Sequence, residues 1–490
     1  MVSITILLQA VGALLGLYAL VLKPIYNVLF HPLRRVPGPL LWRMSPIPRS
    51  WALCNGSLIF KVAQLHAKYG DTVRVGPDEV AFLSVDAWKD IYGHRSAGEE
   101  ENPKSMGFYQ ISPNQPQSII SSGRTEHGEL RRQMAHGFSE RSMRGQEPII
   151  GRYVDLLLQR LHENAHTGAL NMREWYNWTT FDIIGDLGFG SDFDCLKTST
   201  YNPWTKLITD TVKAAAWLQS LSYVGLRPVA AKIMDMGVRS IEHHQELTKR
   251  KLMQRIEFGK KQERPDLIEG LIKTNLPMDK LSSNAGLLIV AGSETTATLL
   301  CGATYLLTRN PDAMRKLAQE VRTTFQNKED ITLLSVNSLS YMLACLNETL
   351  RMYPPVSVGL PRIAPKGGAT IAGLFVPEGT QLGVWQWAIN RHPAYWTRPD
   401  DYIPERWLGK DERFASDRLD AMQPFSVGPR NCIGRNLAYA EMRLILARIL
   451  FDFDLSLAEE SKDWLQAQKC YALWDKPSLH IYLKPVGKRA

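Results

Sequence analysis

The chain has 490 residues, of which 44% are hydrophobic, so it can bury a large core, and it shows no internal repeat, low-complexity tract or interior linker. Its net charge is +9, but the 58 basic residues are interleaved with 49 acidic ones and form no long block, which argues against nucleic acid as a partner. Its six cysteines are scattered without a C-x-x-C pair, which excludes a disulfide framework and favours a reducing cytosolic setting.

The N-terminal segment, residues 2–22, is apolar apart from Ser3, Thr5 and Gln9. As a helix that rises 1.5 Å per residue, it would span about 31 Å, which is enough to cross a bilayer. A cleaved signal peptide is the alternative, but the segment lacks a charged start and a small-residue cleavage site. We therefore interpret residues 1–23 as a single-pass transmembrane anchor.

The next segment, residues 24–57, is rich in proline and in basic residues. The prolines predict a stiff, non-helical hinge and linker that sets how the following domain sits on the membrane. By the positive-inside rule, the basic residues after the anchor place the rest of the chain on the cytosolic side. The prolines are Pro32, Pro37, Pro39, Pro46 and Pro48, and the basic residues are Lys23, Arg34, Arg35, Arg43 and Arg49.

A small β region and a long loop follow. Apolar spacing over residues 58–69 predicts a helix that Gly70 ends, and alternating apolar residues between Val73 and Leu83 predict two short strands. Residues 93–122 are rich in Gly, Ser, Pro and Asn and show little periodicity. A loop of that length in a compact domain is usually functional or disordered.

The middle of the chain is mainly helical. His127 and Arg131 stand four residues apart in a helical pattern, so both side chains lie on one face. From about Gly145 to Lys273 the pattern is mainly helical and carries no motif with recognisable chemistry. Breaks are predicted at Gly190, Pro203, Pro228 and Pro265.

The longest helical pattern, Met278 to Arg309, is interrupted by A-G-S-E-T-T at residues 291–296. A helix interior usually excludes such a stretch, because Gly costs about 1 kcal/mol there relative to Ala and Ser and Thr bond back to the backbone. The stretch predicts a locally opened turn with an acid beside an alcohol, Glu294 and Thr295. Packing of small residues against another helix is the alternative, but it does not explain a carboxylate in an apolar run.

Two motifs with paired charges come next. Glu348 and Arg351 form an E-x-x-R pair on a helix predicted from about Tyr341 to Tyr353, where i, i+3 spacing lets the two side chains meet. Alone, this pair is a weak signal. A further arginine, Arg406, follows within P-E-R-W.

The loop F-S-V-G-P-R-N-C-I-G, residues 425–434, places Cys432 directly before a helical pattern. Gly428 and Gly434 permit a tight turn or the close approach of a flat ligand. The N terminus of the following helix favours the Cys432 thiolate, which could be a nucleophile, a redox sensor or a metal ligand. Zinc would need about four ligands, and no second Cys or His lies nearby in the sequence. Arg430 can clamp a carboxylate with two hydrogen bonds.

The loop resembles the cysteine signature of cytochrome P450, the haem-thiolate monooxygenases, at Phe425, Gly428, Arg430, Cys432 and Gly434. The A-G-S-E-T-T stretch is similar to the oxygen-activation motif of that family, and E-x-x-R and P-E-R-W follow in the family's order. The resemblance implies the mainly α cytochrome P450 fold with a small β region, as a single large catalytic domain over residues 58–490. Two positions depart from the common pattern: His127 stands where the family often has Trp, and Trp407 where Phe is commoner.

The resemblance also implies roles for particular residues. Cys432 would be the axial thiolate ligand of the iron of haem b, and Glu294 and Thr295 would deliver protons. Arg406 would join Glu348 and Arg351 in a structural lock of the cysteine loop. The haem would be bound by His127, Arg131, Arg362, Phe425, Gly428, Arg430 and Gly434, the arginines on its propionates. The substrate pocket would be lined by Phe108, Ile119, Val356, Val358 and Leu360.

The implied activity is insertion of one oxygen atom from O2 into a lipophilic small molecule, with NADPH electrons supplied by NADPH-cytochrome P450 reductase and cytochrome b5 as a further candidate partner. The stretch H-P-L-R-R-V-P-G-P is similar to filamentous-fungal members that act on secondary metabolites. This implies a terpenoid, polyketide or peptide-derived substrate, membrane lipid as a partner and a place in the endoplasmic reticulum membrane. Two alternatives remain: a reductase-independent isomerase or dehydratase of the same fold, against which Glu294 and Thr295 argue, and a non-catalytic membrane haem sensor.

Overall fold

The computed structural model describes residues 4–96, 99–110, 113–114, 116–200, 203–236, 239–259, 266–274 and 276–487. The predicted mainly α fold with a small β region is confirmed. Three of the predicted helix breaks, at Gly190, Pro203 and Pro228, lie at helix ends, whereas Pro265 lies outside the described residues.

The α-helices of the first half of the chain are α1 (Ile4–Leu17), α2 (Lys23–Leu29), α3 (Leu40–Met44), α4 (Ile47–Cys54), α5 (Leu58–Tyr69), α6 (Val85–Tyr92), α7 (Met106–Tyr109), α8 (Arg124–Ala135), α9 (Glu140–Asn164), α10 (Met172–Phe189) and α11 (Cys195–Thr198). Those of the second half are α12 (Pro203–Leu221), α13 (Arg227–Asp235), α14 (Arg239–Gly259), α15 (Glu269–Ile272), α16 (Met278–Arg309), α17 (Pro311–Thr324), α18 (Ser340–Met352), α19 (Gln386–Ile389) and α20 (Arg435–Asp452).

The strands are β1 (Thr72–Gly76), β2 (Glu79–Phe82), β3 (Leu170–Asn171), β4 (Arg362–Ile363), β5 (Ala369–Ile371), β6 (Leu374–Val376), β7 (Gln381–Val384), β8 (Phe453–Leu457), β9 (Lys469–Cys470), β10 (Trp474–Asp475) and β11 (His480–Pro485). The larger sheet has the order β1-β2-β7-β4, in which only β2 and β7 run parallel, and β3-β11-β8 form an antiparallel sheet. In the larger sheet Arg362 of β4 is paired with Leu382 of β7, so the sheet fixes the position of this arginine.

Helix α16 is the centre of the helical part. Helices α10, α14, α18 and α20 all pack against it, which is why its sequence is apolar on most faces. Its length and composition would allow it to cross a membrane, but 67% of its most apolar window is buried inside the protein. We therefore assign α16 to the core of the domain.

The N-terminal helix runs from Ile4 to Leu29, with a π-helical turn at Tyr18–Leu22 between α1 and α2. The span Gln9–Leu29 is long and apolar enough to cross a membrane, and only 12% of it is buried against the rest of the protein. These properties match what a transmembrane anchor requires.

The prediction of a non-helical spacer over residues 24–57 was wrong. Helices α3 and α4 lie in this segment, α2 extends into it, and Pro32–Arg35 forms a 3-10 turn. Pro32 and Pro48 occupy the first turns of the 3-10 turn and of α4, where a missing N–H costs nothing and the fixed φ suits the helix. Leu33, Val36 and Leu53 of this segment are buried in the same core as the later helices.

Candidate active site

The cysteine loop, residues 425–434, is closed by the Cys432 N–H, which donates to the carbonyl of Phe425 at 2.9 Å. Gly428 has a φ of +75°, and a Cβ there would overlap the carbonyl oxygen of Tyr92, so only glycine fits. Gly434 differs, because an added Cβ would meet ordinary contacts, the nearest at 3.7 Å from Phe138. Contacts with neighbouring protein atoms therefore require glycine at position 428 but not at position 434.

Cys432 is an exposed residue, whereas Cys195, Cys301, Cys345 and Cys470 are buried. Its pKa is raised above the ordinary value by the burial of the loop, although the Gly434 N–H and the charges of Arg131 and Arg435 oppose this. The Gly434 N–H at the start of the following helix lowers the pKa in the expected direction, but desolvation has the larger effect. A bound metal cation would supply the charge that a thiolate needs.

A cluster of basic side chains lies beside this loop. Arg430 is bound by the carboxylate of Glu101, with Nη2 to Oε1 at 2.5 Å, and its Nη1 donates to the carbonyl of Ser122 at 2.7 Å. The Glu101 carboxylate therefore binds the Arg430 guanidinium, where we expected a haem propionate. Because Glu101 is itself a carboxylate, this contact shows the kind of group that Arg430 is positioned to hold.

Two further basic side chains lie in this cluster. Arg362 is buried on β4, where Nη1 donates to the Asn102 carbonyl at 3.1 Å and Nε finds no partner among the described residues. Lys104 forms an isolated β-bridge with Arg362. Burial and the charges of Arg362 and Arg430 lower the pKa of Lys104 to about 6. At pH 7 Lys104 is therefore mostly neutral, and the excess positive charge comes from the guanidiniums of Arg362 and Arg430, which the single carboxylate of Glu101 does not balance.

His127 and Arg131 of α8 line the same surface pocket as Arg430. Burial and the charge of Arg430 lower the pKa of His127 to about 4, so the imidazole is neutral at pH 7. Arg131 donates to both oxygens of Asn431, the carbonyl at 2.7 Å and Oδ1 at 2.6 Å. In the structure, Arg131 therefore holds the residue that precedes Cys432.

These residues fit a haem b. The Cys432 thiol can supply one axial ligand, as in thiolate-ligated haem proteins. The unpartnered Nε of Arg362, together with the surplus of positive charge around it, suits the two carboxylates of a haem. Lys104 had not been predicted, because a lone lysine in an irregular loop carries no sequence signal.

Glu294 and Thr295 lie on α16 with separate partners. Thr295 Oγ1 donates to the carbonyl of Ala291 at 2.7 Å, whereas Glu294 forms an ion pair with Lys476 at 2.5 Å. Lys476 also donates to Thr298 Oγ1 at 2.8 Å. The helix is continuous through residues 291–296, so the predicted opened turn was wrong: the hydroxyls bond back to carbonyls without breaking the helix.

A buried contact joins α16 to α20, the helix after Cys432. Glu441 of α20 is hydrogen-bonded to Thr296, the neighbour of Thr295, and burial raises the Glu441 pKa to about 8. The two helices pack against each other. The cysteine loop and the acid-alcohol pair therefore belong to one connected region. Sequence reasoning missed both Glu441 and Lys476, because Lys476 is 182 residues from Glu294.

The structure brings together Glu348, Arg351 and Arg406, all of them buried. Arg351 binds both oxygens of Glu348 at 2.8 and 2.9 Å, and Arg406 Nε donates to Oε1 at 3.1 Å. Trp407 Nε1 also donates to Glu348 Oε2 at 2.9 Å. The indole at this position thus supplies a hydrogen bond that a phenyl ring could not make.

Phe108 and Val358 line one small pocket together, as expected for two predicted substrate-pocket residues. Ile119, Val356 and Leu360 are partly buried against the core and do not line that pocket. The Ile119 N–H donates to Asn284 Oδ1 of α16 at 2.8 Å. Of the five predicted substrate-pocket residues, the structure thus brings two, Phe108 and Val358, together.

Comparisons with known proteins agree with this geometry. The family model "Cytochrome P450" matches residues 37–482. "Cytochrome P450 monooxygenase tpeC" of Talaromyces stipitatus is 50% identical over 99% of this chain and 96% of its own length. "Trichothecene C-15 hydroxylase" of Fusarium sporotrichioides is 44% identical over 96% of each chain, and "Averantin hydroxylase" of Dothistroma septosporum is 42% identical over 94% of this chain and 88% of its own. The chain therefore belongs to the cytochrome P450 family and is a cytochrome P450 monooxygenase.

Proposed function

We propose that this enzyme inserts one oxygen atom from O2 into a lipophilic small molecule, with Cys432 as the axial ligand of a haem b. The exposed residue Cys432, beside the guanidiniums of Arg362 and Arg430 that Glu101 only partly balances, is the observation that carries this proposal. When bound, the haem supplies the O2 and electron-transfer chemistry that amino-acid side chains lack.

The residues around the cysteine loop bind and orient the cofactor. Arg362 and Arg430, with neutral His127 as a hydrogen-bonding neighbour, hold the propionates, and Glu101 then shares or gives up Arg430. Phe425, Gly428 and Gly434 shape the loop around the sulfur. Arg131 fixes the loop through Asn431.

Glu294 and Thr295 move protons. The face of α16 formed by Leu287, Ala291 and Thr295, at i, i+4 spacing, is accessible to solvent in a helix that is otherwise mostly buried. Lys476 holds the Glu294 carboxylate one residue from the Thr295 hydroxyl. We propose that Glu294 receives protons on the Lys476 side and that Thr295 Oγ1 passes them on along the accessible face.

Glu348, Arg351 and Arg406 act as a structural lock and take no part in the chemistry. Arg406 is also paired with Asp417, whose side chain is buried, so the network holds two positive and two negative charges. It can therefore fix the segment that leads into the cysteine loop without a net buried charge.

The substrate is a lipophilic scaffold of secondary metabolism: terpenoid, polyketide or peptide-derived. Phe108 and Val358 offer apolar surface to it, and we assign Ile119, Val356 and Leu360 to the wider pocket wall. The printed names of two relatives give a trichothecene and averantin as hydroxylated compounds, which supports an organic substrate of this class.

Electrons come from NADPH through NADPH-cytochrome P450 reductase, with cytochrome b5 as a second donor. Residues 1–23 anchor the chain in the endoplasmic reticulum membrane, 24–57 connect the anchor, and 58–490 form the catalytic domain on the cytosolic side. The exposed apolar helix Ile4–Leu29 and the basic residues after it support this arrangement.

The decisive experiment compares the Cys432→Ala variant with the wild type. We expect the wild-type enzyme to give the thiolate-type spectrum of a reduced carbon monoxide complex and the variant to lose it. Cys54→Ser, which changes another cysteine that is not fully buried, should retain it. A thiolate-type spectrum in Cys432→Ala would place the ligand elsewhere. Product formed without NADPH would favour the isomerase alternative, and ligand binding without any product would favour the sensor.

A further inference from the structure

Polar side chains occur in the small pocket that Phe108 and Val358 line. Its apolar wall includes Leu53, Leu58 and Trp385, but Arg49 and Gln219 line it as well. The side chains of Arg49 and Gln219 are about 95% buried, with 5% and 6% of each residue exposed. From the sequence we had counted Arg49 among the basic residues that face the cytosol, so this pocket gives it a different place.

The charge of Arg49 is already balanced inside the protein. Its Nε and Nη2 bind the two carboxylate oxygens of buried Glu79, the second at 3.1 Å. The guanidinium carbon lies 3.8 Å from the centre of the Tyr223 ring. An anionic ligand would therefore add an uncompensated negative charge beside Glu79, which a buried site disfavours.

One donor and one acceptor in this pocket remain unused. Arg49 Nη1 has no hydrogen-bond partner among the residues that the structure describes, and neither has Gln219 Oε1 within that same part of the chain. Gln219 Nε2 is occupied by the carbonyl of Phe108 at 3.2 Å, which fixes the orientation of the amide. A buried polar atom without a partner costs about 1–3 kcal/mol, so each of these atoms favours a ligand that satisfies it.

The chemistry of the missing partner follows from these two atoms. A hydroxyl group accepts a hydrogen bond from Nη1 and donates one to Oε1, whereas a carbonyl can only accept. The open space is about 10 Å³, which is close to the room that one water molecule needs. The pocket therefore fits one small functional group and not a whole scaffold.

We propose that Arg49 and Gln219 form a subsite for a neutral hydroxyl group of the substrate, distant from the carbon that is oxidised. The inference rests on the proposed monooxygenase function and deepens it. The substrate is then a lipophilic scaffold that already carries a hydroxyl; this group enters the pocket between Phe108 and Val358, and the rest of the scaffold lies outside it. A reaction that leaves a free hydroxyl on the scaffold, such as a carbonyl reduction or an earlier hydroxylation, therefore precedes this enzyme.

The test measures binding of three probes of equal chain length, decanol, decane and decanoic acid, to the full-length holoenzyme. Dissociation constants come from the change in haem absorbance and, independently, from tryptophan fluorescence, since Trp385 lines the pocket. We expect decanol to bind about tenfold more tightly than decane or decanoate, because only the alcohol satisfies both atoms without added charge.

Variants identify the atoms responsible. Gln219→Leu should bring the affinities for decanol and decane close to each other. Arg49→Met combined with Glu79→Met should do the same, and the pair avoids leaving one buried charge alone. The matched control is Gln146→Leu, since Gln146 is also buried, donates to a backbone carbonyl and has an Oε1 unpartnered within the described chain, but lies on α9. It should leave the preference for decanol intact.

The outcomes separate the two proposals. Equal binding of the three probes, or a preference for decanol that Gln219→Leu leaves unchanged, would overturn the subsite even if NADPH-dependent oxidation of lipophilic compounds is observed. The fluorescence titration reports on the subsite whether or not any product forms, so a failure of the monooxygenase proposal would appear separately, as a missing NADPH-dependent product.

Discussion

The Thr295 hydroxyl stands on the accessible face of α16, and we expect it to decide how efficiently NADPH is used. Thr295→Val keeps the shape of the side chain but removes the O–H that bonds to Ala291. Without that hydroxyl, proton delivery fails at its last step, and general acid catalysis of this kind contributes about 10²–10⁴-fold. Product formed per NADPH oxidised should therefore fall by at least about tenfold, with the oxygen recovered as hydrogen peroxide.

Ser293 offers the matched control for that experiment. Its hydroxyl bonds back to the carbonyl of Ile289 at 2.7 Å, in the same manner as Thr295, but the residue is buried. Ser293→Ala should keep the wild-type ratio of product to NADPH. If both variants lose coupling equally, the effect comes from the helix and not from a proton path.

A Trp407 variant measures how much one hydrogen bond contributes to the stability of the buried network around Glu348. Trp407→Phe removes the N–H that donates to Glu348 Oε2 and leaves that carboxylate oxygen with fewer donors. Because hydrogen bonds to buried charged groups contribute about 1.5–3 kcal/mol, we expect the free energy of unfolding to fall by about that amount. Thermal or denaturant unfolding of the holoenzyme measures it.

A second tryptophan separates the charged bond from the loss of ring area. The Nε1 of Trp464 donates to the neutral carbonyl of Pro477 at 3.0 Å, and the residue is buried away from this network. Trp464→Phe should cost less than Trp407→Phe, since a hydrogen bond to a neutral acceptor contributes about 0.5–1.5 kcal/mol. Equal losses of unfolding free energy would mean that the hydrogen bond to the Glu348 carboxylate contributes no more than one to a neutral carbonyl.

At the scale of elements, sequence periodicity located the regular helices well. The pattern over residues 58–69 gave α5 with Gly70 at its end, and the patterns at 278–309 and 341–353 gave α16 and α18 to within a residue. Periodicity succeeds here because each helix buries one or more continuous faces. It failed over residues 24–57, where the prolines begin short helices, and in α16, where back-bonded hydroxyls replaced an opened turn.

The residues of the candidate site also divide into those that the sequence could predict and those that it could not. Residues in ordered local motifs, such as Glu348 with Arg351 or the cysteine loop, could be predicted because the chain itself fixes their spacing. Lys476, Lys104 and Arg49 could not, since their partners lie far away along the chain and only the tertiary fold brings them near.

The Glu441 carboxyl, at the contact between α16 and α20, makes the free energy of unfolding depend on pH. Burial raises the pKa of Glu441 from an ordinary 4.5 to about 8 in the folded protein. Between these values the unfolded chain releases the proton and the folded chain keeps it, so the free energy of unfolding falls as pH rises. The limiting slope is about 1.4 kcal/mol per pH unit for one such group. Above the pKa that Glu441 has in the folded protein, this loss of stability is complete and no longer changes with pH.

Glu441→Gln removes this titration, so its stability relative to the wild type should rise steadily from about pH 5 to 8. Unfolding midpoints measured at several pH values give the difference directly. Glu459→Gln, a change at an exposed glutamate paired with Lys462, should follow the wild-type profile. A constant difference between Glu441→Gln and wild type across this range would mean that Glu441 ionises normally in the folded protein.

For the molecule as a whole, the helices next to the N-terminal helix Ile4–Leu29 expose large apolar side chains on one connected block. Helices α2, α3, α4, α12 and α13 contact one another in sequence. The exposed residues include Leu40, Leu41, Ile47, Trp51, Trp217, Val229 and Met236. A patch of this kind, continuous with an apolar N-terminal helix, is typical of a surface that rests on a membrane.

This surface predicts membrane binding even without the apolar N-terminal helix. A variant that lacks residues 1–22 should still co-sediment with phosphatidylcholine vesicles, and Leu41→Glu with Trp51→Glu should lower the bound fraction about tenfold or more. Each of these side chains is about two-thirds exposed, 65% and 66%, and burying one in lipid is worth about 1.5–3 kcal/mol. Leu334→Glu is the matched control, because Leu334 is also 66% exposed but lies in the groove beside Arg435 and Arg443. Loss of binding in the control as well would show that added negative charge, and not the apolar patch, governs the contact with lipid.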